Sequence, residues 1–163
     1  MKEGVKLMVK YSYEDVANWF LVEGEGEISP KKLQKLVYYA YAWVLTLLND
    51  SSEELNTRLF EDAKFEAWVH GPVLRDLYAK YASYGFENIE EPKEQPEFVE
   101  DVQDILEQVW EVYGDYSADQ LESMTHQEDP WKNARKGLLP LDSSSTLIDD
   151  RDIFKYYIQR VGQ

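Results

Sequence analysis

Apolar residues recur at helical spacing along much of the chain, which predicts a series of amphipathic helices. A capping-box pattern at Ser12 begins the first helix, which is expected to end near Glu23. Ser29 followed by Pro30 is typical of a helix start, and the second helix that it predicts runs to about Leu48. Apolar side chains occupy nearly every face of this second helix, so it is expected to be central in the fold.

The pattern changes after the second helix. Residues 59–69 carry two apolar groups around a charged tetrapeptide, which predicts a short hairpin or two extended segments. Gly71 followed by Pro72 predicts a strand-to-helix corner, because Gly adopts backbone angles that other residues resist and Pro presets the helix entry. A third helix is therefore expected from Pro72 to Gly85, followed by an exposed acidic linker over residues 86–96.

Three further helices are predicted in the second half of the chain. The fourth begins near Glu97, has the clearest amphipathic pattern and ends at Gly114. A short helix capped by Ser117 follows, and the last helix spans about 148–163. The predicted fold is mainly α, a compact helical domain of about six helices with a short two-stranded β element. The length favours a single domain over 1–163, with the C-terminal helix packed on it.

The net charge of −15 is concentrated in one block of the chain. Residues 86–130 contain fifteen acidic residues and one base, Lys93, which gives this block a charge of −14. Such a field disfavours direct binding to a nucleic-acid backbone and attracts a basic protein. Glu100, Asp104 and Glu107 lie on the polar side of the fourth helix, which is expected to be either a solvated face or a docking face for a basic partner.

Cysteine is absent from the chain, which excludes disulfides, thiolate metal sites and cysteine nucleophiles. The N-terminal residues 1–6 lack the apolar run of a secretion signal. The longest uncharged run, residues 36–49, has 14 residues. A helix needs about 20 residues to span a bilayer. These features predict a cytoplasmic protein that does not enter a membrane.

Three lysines lie where a helix normally carries acids. Lys31, Lys32 and Lys35 fall in the first two turns of the second helix, where the helix dipole disfavours cations. Either their stems cover apolar surface, or their ammonium groups meet carboxylates from elsewhere in the fold, such as Glu66 or Glu128. We expect at least one such pair between elements.

Two short motifs each combine an aromatic residue, a Gly or Pro, and a titratable side chain. They are Phe65–Val73 and His126–Trp131. In the structural interpretation of the second motif, His126 and Glu128 hydrogen-bond the turn, and Trp131 inserts into the core next to Pro130. The motifs are expected to be fixed points of a functional surface.

The same residues also raise chemical hypotheses. His126 and Glu128 have the spacing of a zinc-deaminase motif, but that site also requires cysteines. With His70 and Glu66 they have the residue types of a two-histidine carboxylate metal site, although their spacing does not demand one. An acid–base or metal-dependent hydrolase that uses His126 and Glu128 remains the alternative, and it predicts loss of activity on chelation or in His126→Ala. A Gly-rich phosphate loop is absent, so a nucleotide site has little support.

Several segments together resemble the Panacea domain, the SocA-like family often labelled phage-associated protein. They are Lys32–Ala40, Leu59–Phe60, Phe65–Trp68, Gly71–Val73, Leu121 and Thr125–Trp131. Their order and spacing match over roughly residues 12–135, which makes the resemblance more specific than one short motif.

The resemblance implies a predominantly α-helical antitoxin that neutralises a cognate protein toxin encoded alongside it. One member of the family acts as a proteolytic adaptor that delivers its toxin to an AAA+ protease, so such a protease is a second implied partner, and the last helix or a terminus is a candidate tether. The resemblance implies neither an enzyme nor a cofactor. The positions that carry over as signature or partner-binding candidates are Lys32, Gln34, Lys35, Tyr39, Glu66, Trp68, His70, Gly71, Pro72, His126, Glu128, Pro130 and Trp131.

Overall fold

The computed structural model describes residues 10–162, and this part of the chain contains seven α-helices and one two-stranded antiparallel sheet. The helices are α1 (Tyr13–Glu23), α2 (Pro30–Leu47), α3 (Arg75–Tyr81), α4 (Glu100–Tyr113), α5 (Ala118–His126), α6 (Asp129–Ala134) and α7 (Asp150–Ile158). The strands are β1 (Phe65–Trp68) and β2 (Gly71–Leu74). The mainly α fold with a short β element is confirmed. Residues 1–6, on which the secretion-signal prediction rests, and Gln163, the predicted end of the last helix, lie outside the described residues.

Helix α2 is the central element, as its sequence predicts. Thirteen of its eighteen residues are buried, and it packs against α1, α4, α5, α7 and the hairpin. Each large apolar side chain that is fully buried in this way stabilises the fold by about 1.5–3 kcal/mol. The predicted start is confirmed as well, because the Ser29 side chain accepts a hydrogen bond from the Lys32 amide and Pro30 occupies the first turn.

Two other helix starts follow from local capping chemistry. In α1, the Ser12 side chain accepts a hydrogen bond from the Asp15 amide at 3.1 Å, and the Asp15 carboxylate accepts one from the Ser12 amide. Ser117 and Gln120 make the same reciprocal pair at the start of α5. These boxes satisfy amide groups that a helix end otherwise leaves without partners, so both starts are confirmed.

The hairpin lies further along the chain than its sequence pattern predicts. Strands β1 and β2 pair around Val69 and His70, with Phe65 opposite Leu74, whereas Phe60 forms only an isolated bridge with Tyr11. The prediction of a hairpin contained within residues 59–69 is therefore wrong, whereas the alternative of two extended segments agrees with the bridge at Phe60 and with β1. The first strand of the observed hairpin comes from this range, and the second does not.

The predicted strand-to-helix corner at Gly71 and Pro72 is also wrong, because both residues belong to β2. Gly71 has a φ of +111°, an angle that lets the chain leave a tight turn directly into the second strand. Pro72 lacks an amide proton, and a strand without neighbours on both sides tolerates it. The third helix consequently begins at Arg75, and Tyr78, which helical spacing predicts to face inward, is 49% exposed.

Other differences concern the second half of the chain. Helix α4 begins at Glu100, three residues after the predicted start, and the predicted basic turn contains the short helix α6. Ile89, in the predicted exposed linker, is buried, and its amide donates to the carbonyl of Ile28 at 2.9 Å.

The last helix is shorter than predicted. It begins at Asp150, capped by Asp149, and ends at Ile158. The side chain of Ile158 is largely exposed, as is that of Val161, although helical spacing predicts that both face inward. No helix within residues 10–162 combines the length and the apolar character that are needed to cross a bilayer.

Candidate functional site

The fold brings the two sequence motifs into contact. The indole N–H of Trp131 donates a hydrogen bond of 2.8 Å to the carbonyl of Trp68, at the end of β1. The imidazole ring of His126 stacks on the indole ring of Trp131, with centroids 4.0 Å apart and planes at 16°. Residues that are far apart in sequence therefore build one feature, formed by the hairpin turn and the α5–α6 connection.

The lysines at the start of α2 reach other elements, as expected. Lys31 forms ion pairs with Asp119, at 2.8 Å, and with Glu122, both on α5. Lys32 donates a hydrogen bond of 2.6 Å to the carbonyl of Gly114, where α4 ends. The predicted pair between elements is confirmed, but its acids come from α5.

The two carboxylates that the sequence analysis offers as lysine partners bind elsewhere. Glu66 accepts hydrogen bonds from the guanidinium of Arg75, at 2.7 and 3.1 Å, and from the indole N–H of Trp68, at 3.0 Å. These hydrogen bonds, and those from Arg75 most of all, hold the pKa of Glu66 below its usual value, although partial burial opposes this shift. Glu66 thus fastens the hairpin to the first turn of α3.

Gln34 and Lys35 both contact strand β2. The side-chain amide of Gln34 donates to the carbonyl of Leu74 at 3.0 Å and accepts from its N–H at 2.9 Å, which satisfies backbone groups at the end of the strand. Lys35 is 1% exposed, and its ammonium group donates to the carbonyl of Pro72 at 3.3 Å. Burial lowers the pKa of Lys35 to about 7, although the carboxylate of Glu122 opposes the shift.

Gly71 allows the hairpin to approach Lys35 closely. A β-carbon at position 71 would lie 2.7 Å from Cε of Lys35 and 3.0 Å from Oγ1 of the buried Thr125. Both the φ of Gly71 and the lack of space therefore require glycine.

Glu122 is the common acidic partner of this region. Its carboxylate pairs with Lys31 and also lies 3.0 Å from Nδ1 of His70 and 3.9 Å from Nε2 of His126. Burial tends to raise the pKa of Glu122, but the hydrogen bonds with Lys31 and His70 outweigh it and lower that pKa. Burial lowers the pKa of His126, and Glu122 opposes this shift only in part. We call Lys31, Lys35, His70, Glu122 and His126 the lysine corner.

Glu128 lies in a different environment. Its carboxyl group accepts hydrogen bonds from the hydroxyl of Tyr39, at 3.1 Å, and from that of Tyr157. Burial raises the pKa of Glu128 to about 7, although both hydroxyl bonds oppose the shift. The ring of Tyr39 stacks on that of Tyr113, with centroids 4.0 Å apart. We call Glu128, Tyr39, Tyr113 and Tyr157 the tyrosine cluster, which joins α2, α4, α7 and the start of α6.

The motif His126–Trp131 therefore divides between two sites. Glu128 precedes α6 but its side chain makes no capping bond there, since the tyrosine hydroxyls bind it instead. The structural interpretation is thus wrong about hydrogen bonds from Glu128 to the turn. The prediction that Trp131 inserts into the core next to Pro130 is met in part, because Pro130 is buried and Trp131 packs against the core but remains partly exposed.

The geometry gives the His126 and Glu128 hydrolase hypothesis no support, because the two side chains contact different partners. Within residues 10–162, no cluster of three or more His, Asp or Glu side chains is arranged to hold a metal ion. The predicted grouping of His70 and His126 with Glu66 and Glu128 does not form, since Glu66 binds Arg75 and Glu128 binds the tyrosines.

A groove of about 810 Å³ opens beside the lysine corner, between the start of α2, the hairpin and α3. Its lining is largely apolar and aromatic, and the loop before α7 contributes three serines. The apolar lining includes Leu33, Trp68, Val69, Val73, Leu77 and Tyr78, and the serines are Ser143–Ser145. Lys35 and His70 line the same groove, so the first motif and the lysine corner share a concave surface.

The acidic side of α4 is a separate surface. Glu100, Asp104 and Glu107 are all exposed, and Glu107 accepts a hydrogen bond from Gln103 one turn earlier, at 2.8 Å. The opposite side of the helix is buried, which agrees with its strong amphipathic pattern.

Sequence reasoning missed three residues of these sites. Glu122 lies four positions before His126 on a predicted helix, so its contact with that residue was accessible from spacing. Tyr157 gave no signal beyond an apolar position. Arg135 is 6% exposed, and its guanidinium donates to four backbone carbonyls. They are those of Ala67, at 2.9 Å, Leu139, Pro140 and Asp142, at 2.7 Å. A buried arginine whose hydrogen bonds go to carbonyl groups has no recognisable sequence pattern.

The chain was compared with known proteins. The family model described as "Antitoxin SocA-like, Panacea domain" matches residues 33–132, which extend from α2 into α6 and include both motifs. No curated protein and no solved structure gives a significant match.

Proposed function

Since the chain belongs to the SocA-like antitoxin family of Panacea domains, we propose that it binds a cognate protein toxin and neutralises it. The proposed activity is recognition of another polypeptide, without a cofactor and without a chemical reaction on a substrate. We also propose that it acts in the cytoplasm.

The groove beside the lysine corner is the observation that supports this proposal best. Apolar concave surfaces that are open to solvent are typical of sites that receive a partner's side chains. The groove is lined by Trp68, His70 and Val73, which belong to the first motif, and by Lys35 of the matched region of α2. We therefore assign toxin contact to the signature residues of the hairpin, with the acidic face of α4 as a second candidate surface.

Neutralisation has two possible routes, and both require the same complex. In one, the bound antitoxin covers the toxin's working surface. In the other, it delivers the toxin to an AAA+ protease, and a surface outside the groove, such as α7, binds the protease. We propose toxin binding as the shared step and leave the route to experiment.

Co-expression with the product of the adjacent reading frame tests the proposal. If that product stops growth alone and growth returns when this protein is present, neutralisation is supported. Rescue that is lost in protease-deficient cells identifies the delivery route, and rescue that persists there identifies masking. If no neighbouring product is toxic, or none forms a complex with this protein, the proposed function is wrong.

Two variants on separate surfaces show where the toxin binds. Tyr78→Glu places an acid on the rim of the groove, and Glu100→Gln combined with Glu107→Gln reduces the charge of α4. All three positions are exposed, so neither variant is expected to disturb the core. Loss of rescue with the first variant alone assigns the toxin to the groove, and loss with the second alone assigns it to α4.

A further inference from the structure

The groove has a positively charged lining in a strongly acidic protein. Its charged lining side chains within residues 10–162 are Lys31, Lys35 and Arg75, with His70 beside them, and no Asp or Glu from that part of the chain lines it. The chain as a whole carries a net charge of −15. A carboxylate that enters this groove therefore meets cationic side chains, although the molecule as a whole is strongly acidic.

Two of these cations have carboxylate partners in direct contact, whereas Lys35 has no carboxylate within 4 Å among residues 10–162, although the charge of Glu122 favours its protonated form. Lys31 pairs with Asp119 and Glu122, and Arg75 pairs with Glu66. An ammonium group has three N–H donors, but within residues 10–162 the hydrogen bond of 3.3 Å to Pro72 is the one that Lys35 makes. A buried charge is normally paired and fully hydrogen-bonded, because removing it from water is costly.

The end of the Lys35 side chain lies beside Gly71 and close to His126. The left-handed Gly71 leaves room for its side chain, and the nearby Nε2 of His126 is buried and has no hydrogen-bond partner among the described residues. The lowered pKa of Lys35, to about 7, has burial as its first cause. A carboxylate placed against the ammonium group would oppose this effect and raise the pKa of Lys35, because an opposite charge favours the protonated form.

We propose that the groove receives a segment of the partner protein that carries apolar side chains and one carboxylate, and that this carboxylate binds the ammonium group of Lys35. The carboxylate is that of an Asp, a Glu or the partner's C-terminus. This inference rests on the proposed function, since the segment belongs to the neutralised toxin.

The size and lining of the groove favour a polypeptide segment over a small anion. At about 810 Å³ the groove accommodates several side chains, and most of its wall consists of residues such as Leu33, Val73 and Leu77 that offer no hydrogen bonds. A small carboxylate would fill only the corner at Lys35 and leave the apolar wall in contact with water.

Calorimetry with defined peptides tests the proposal. The probes are the purified product of the adjacent reading frame and overlapping synthetic peptides that cover its sequence. Each peptide that binds is remade with Gln or Asn in place of its acids, and with an amidated C-terminus. Titrations at about pH 8, in buffers of different ionisation enthalpy, measure affinity and proton uptake together.

The expected result links one acid of the peptide to Lys35. Lys35→Met is expected to weaken binding at least about tenfold, and removing the critical acid is expected to weaken it by a similar factor in the wild-type protein. The two changes together are expected to cost little more than either alone, because both remove the same pair. The wild-type complex is expected to take up a proton at about pH 8, and the Lys35→Met complex is not.

Controls separate the failure of this inference from the failure of the proposed function. If the wild-type protein rescues growth and binds its partner, but Lys35→Met or the acid-free peptide binds equally well, the inference is wrong and the proposed function stands. If the wild-type protein gives no rescue, both are wrong. Lys136→Met, in the exposed turn after α6, is the matched control and is expected to leave affinity unchanged.

A second pair of variants decides the question if Lys35→Met does not fold. Tyr78 is 49% exposed on the groove wall. Tyr78→Lys is expected to bind the acidic peptide more tightly than Tyr78→Glu, and equal affinities would contradict the proposal. Titration with N-acetylglutamate tests the alternative ligand, because stoichiometric binding of this compound in the absence of any peptide binding would replace the partner segment with a small carboxylate.

Discussion

The lysine corner buries Lys35 of α2, and the tyrosine cluster buries Glu128, which precedes α6. Burial moves the pKa of each group to about 7, but the two groups differ in how completely they are hydrogen-bonded. Glu128 accepts bonds from two tyrosine hydroxyls that belong to α2 and α7. Lys35 makes one long hydrogen bond to a carbonyl group and borders an open groove. Similar burial therefore has different consequences at the two sites: Glu128 links elements of the fold, whereas Lys35 is left with hydrogen-bonding capacity that we assign to a partner.

The largest expected effect is at Glu128. Glu128→Ala removes the acceptor of the Tyr39 and Tyr157 hydroxyls and leaves both buried without it, so we expect the free energy of unfolding to fall by about 2–4 kcal/mol. Urea unfolding followed by circular dichroism measures this change. Glu128→Gln keeps a carbonyl acceptor of similar size and is expected to cost clearly less. Equal losses in the two variants would show that the hydroxyl bonds do not stabilise the cluster.

The next effect is at the hairpin turn. Gly71→Ala forces a β-carbon against Lys35 at a positive φ, and we expect it to lower the free energy of unfolding by about 1–3 kcal/mol. Gly26→Ala is the matched control, because Gly26 also has a positive φ, of +82°, with nothing within 4 Å of the added carbon. The excess loss at Gly71 in urea unfolding measures the close approach itself. If both variants lose the same amount, the packing of the hairpin on Lys35 is looser than described.

A pH titration of stability compares the two groups directly. The folded-state pKa of Glu128 is raised from 4.5 to about 7, so its contribution to stability is complete below 4.5 and is lost as the pH rises through about 7. The folded-state pKa of Lys35 is lowered from 10.5 to about 7, so its contribution is complete above 10.5 and is lost as the pH falls through about 7. We expect the stability of the wild-type protein relative to Glu128→Gln to fall by about 3 kcal/mol as the pH rises from 4.5 to about 7.

Unfolding midpoints of the wild-type protein, Glu128→Gln and Lys35→Met, measured from about pH 5 to about pH 9, check both directions. Relative to Lys35→Met, the wild-type protein is expected to gain stability as the pH rises above about 7. Parallel curves for all three proteins would show that neither group titrates with the described pKa.

The smallest expected effect on stability is that of Lys35→Met itself. The methionine side chain fills much of the same space, and the change removes a buried charge that has one long hydrogen bond. We therefore expect a change within about 1 kcal/mol at neutral pH, in either direction. A loss as large as that in Glu128→Ala would show that Lys35 fastens the hairpin, and it would remove the contrast between the two sites.

Local chemistry made several elements predictable from the sequence. The capping residues Ser12, Ser29 and Ser117 mark helix starts, because each serine side chain accepts a hydrogen bond from the amide only three positions away. The all-round apolar pattern of α2 likewise predicts its central position. The position of the hairpin was not predictable in this way. It depends on the φ of Gly71 and on hydrogen bonds between the backbone of Leu74 and the side chain of Gln34, forty residues earlier.

The candidate site was predictable in its residues but not in their pairing. Lys31 and Lys35 stand out in the sequence as cations in an unfavourable position of a helix. Their partners do not, because the sequence does not show which acids of the acidic block meet these lysines until α5 is packed against α2. The different fates of His126 and Glu128 have the same origin, since Tyr157 reaches Glu128 only in the folded chain.

The guanidinium of Arg135 links β1 to the loop that precedes α7, through carbonyls on both segments. Detaching that loop would leave the buried guanidinium without most of its hydrogen-bond acceptors. Arg135 therefore stabilises the attachment of the loop to the edge of the hairpin. The loop and this edge are thus expected to open as one cooperative unit in native-state hydrogen exchange, with similar protection for the amides of Ala67 and Ile148, which bond across the same seam. A single side chain in this way makes the C-terminal segment part of the platform that presents the groove.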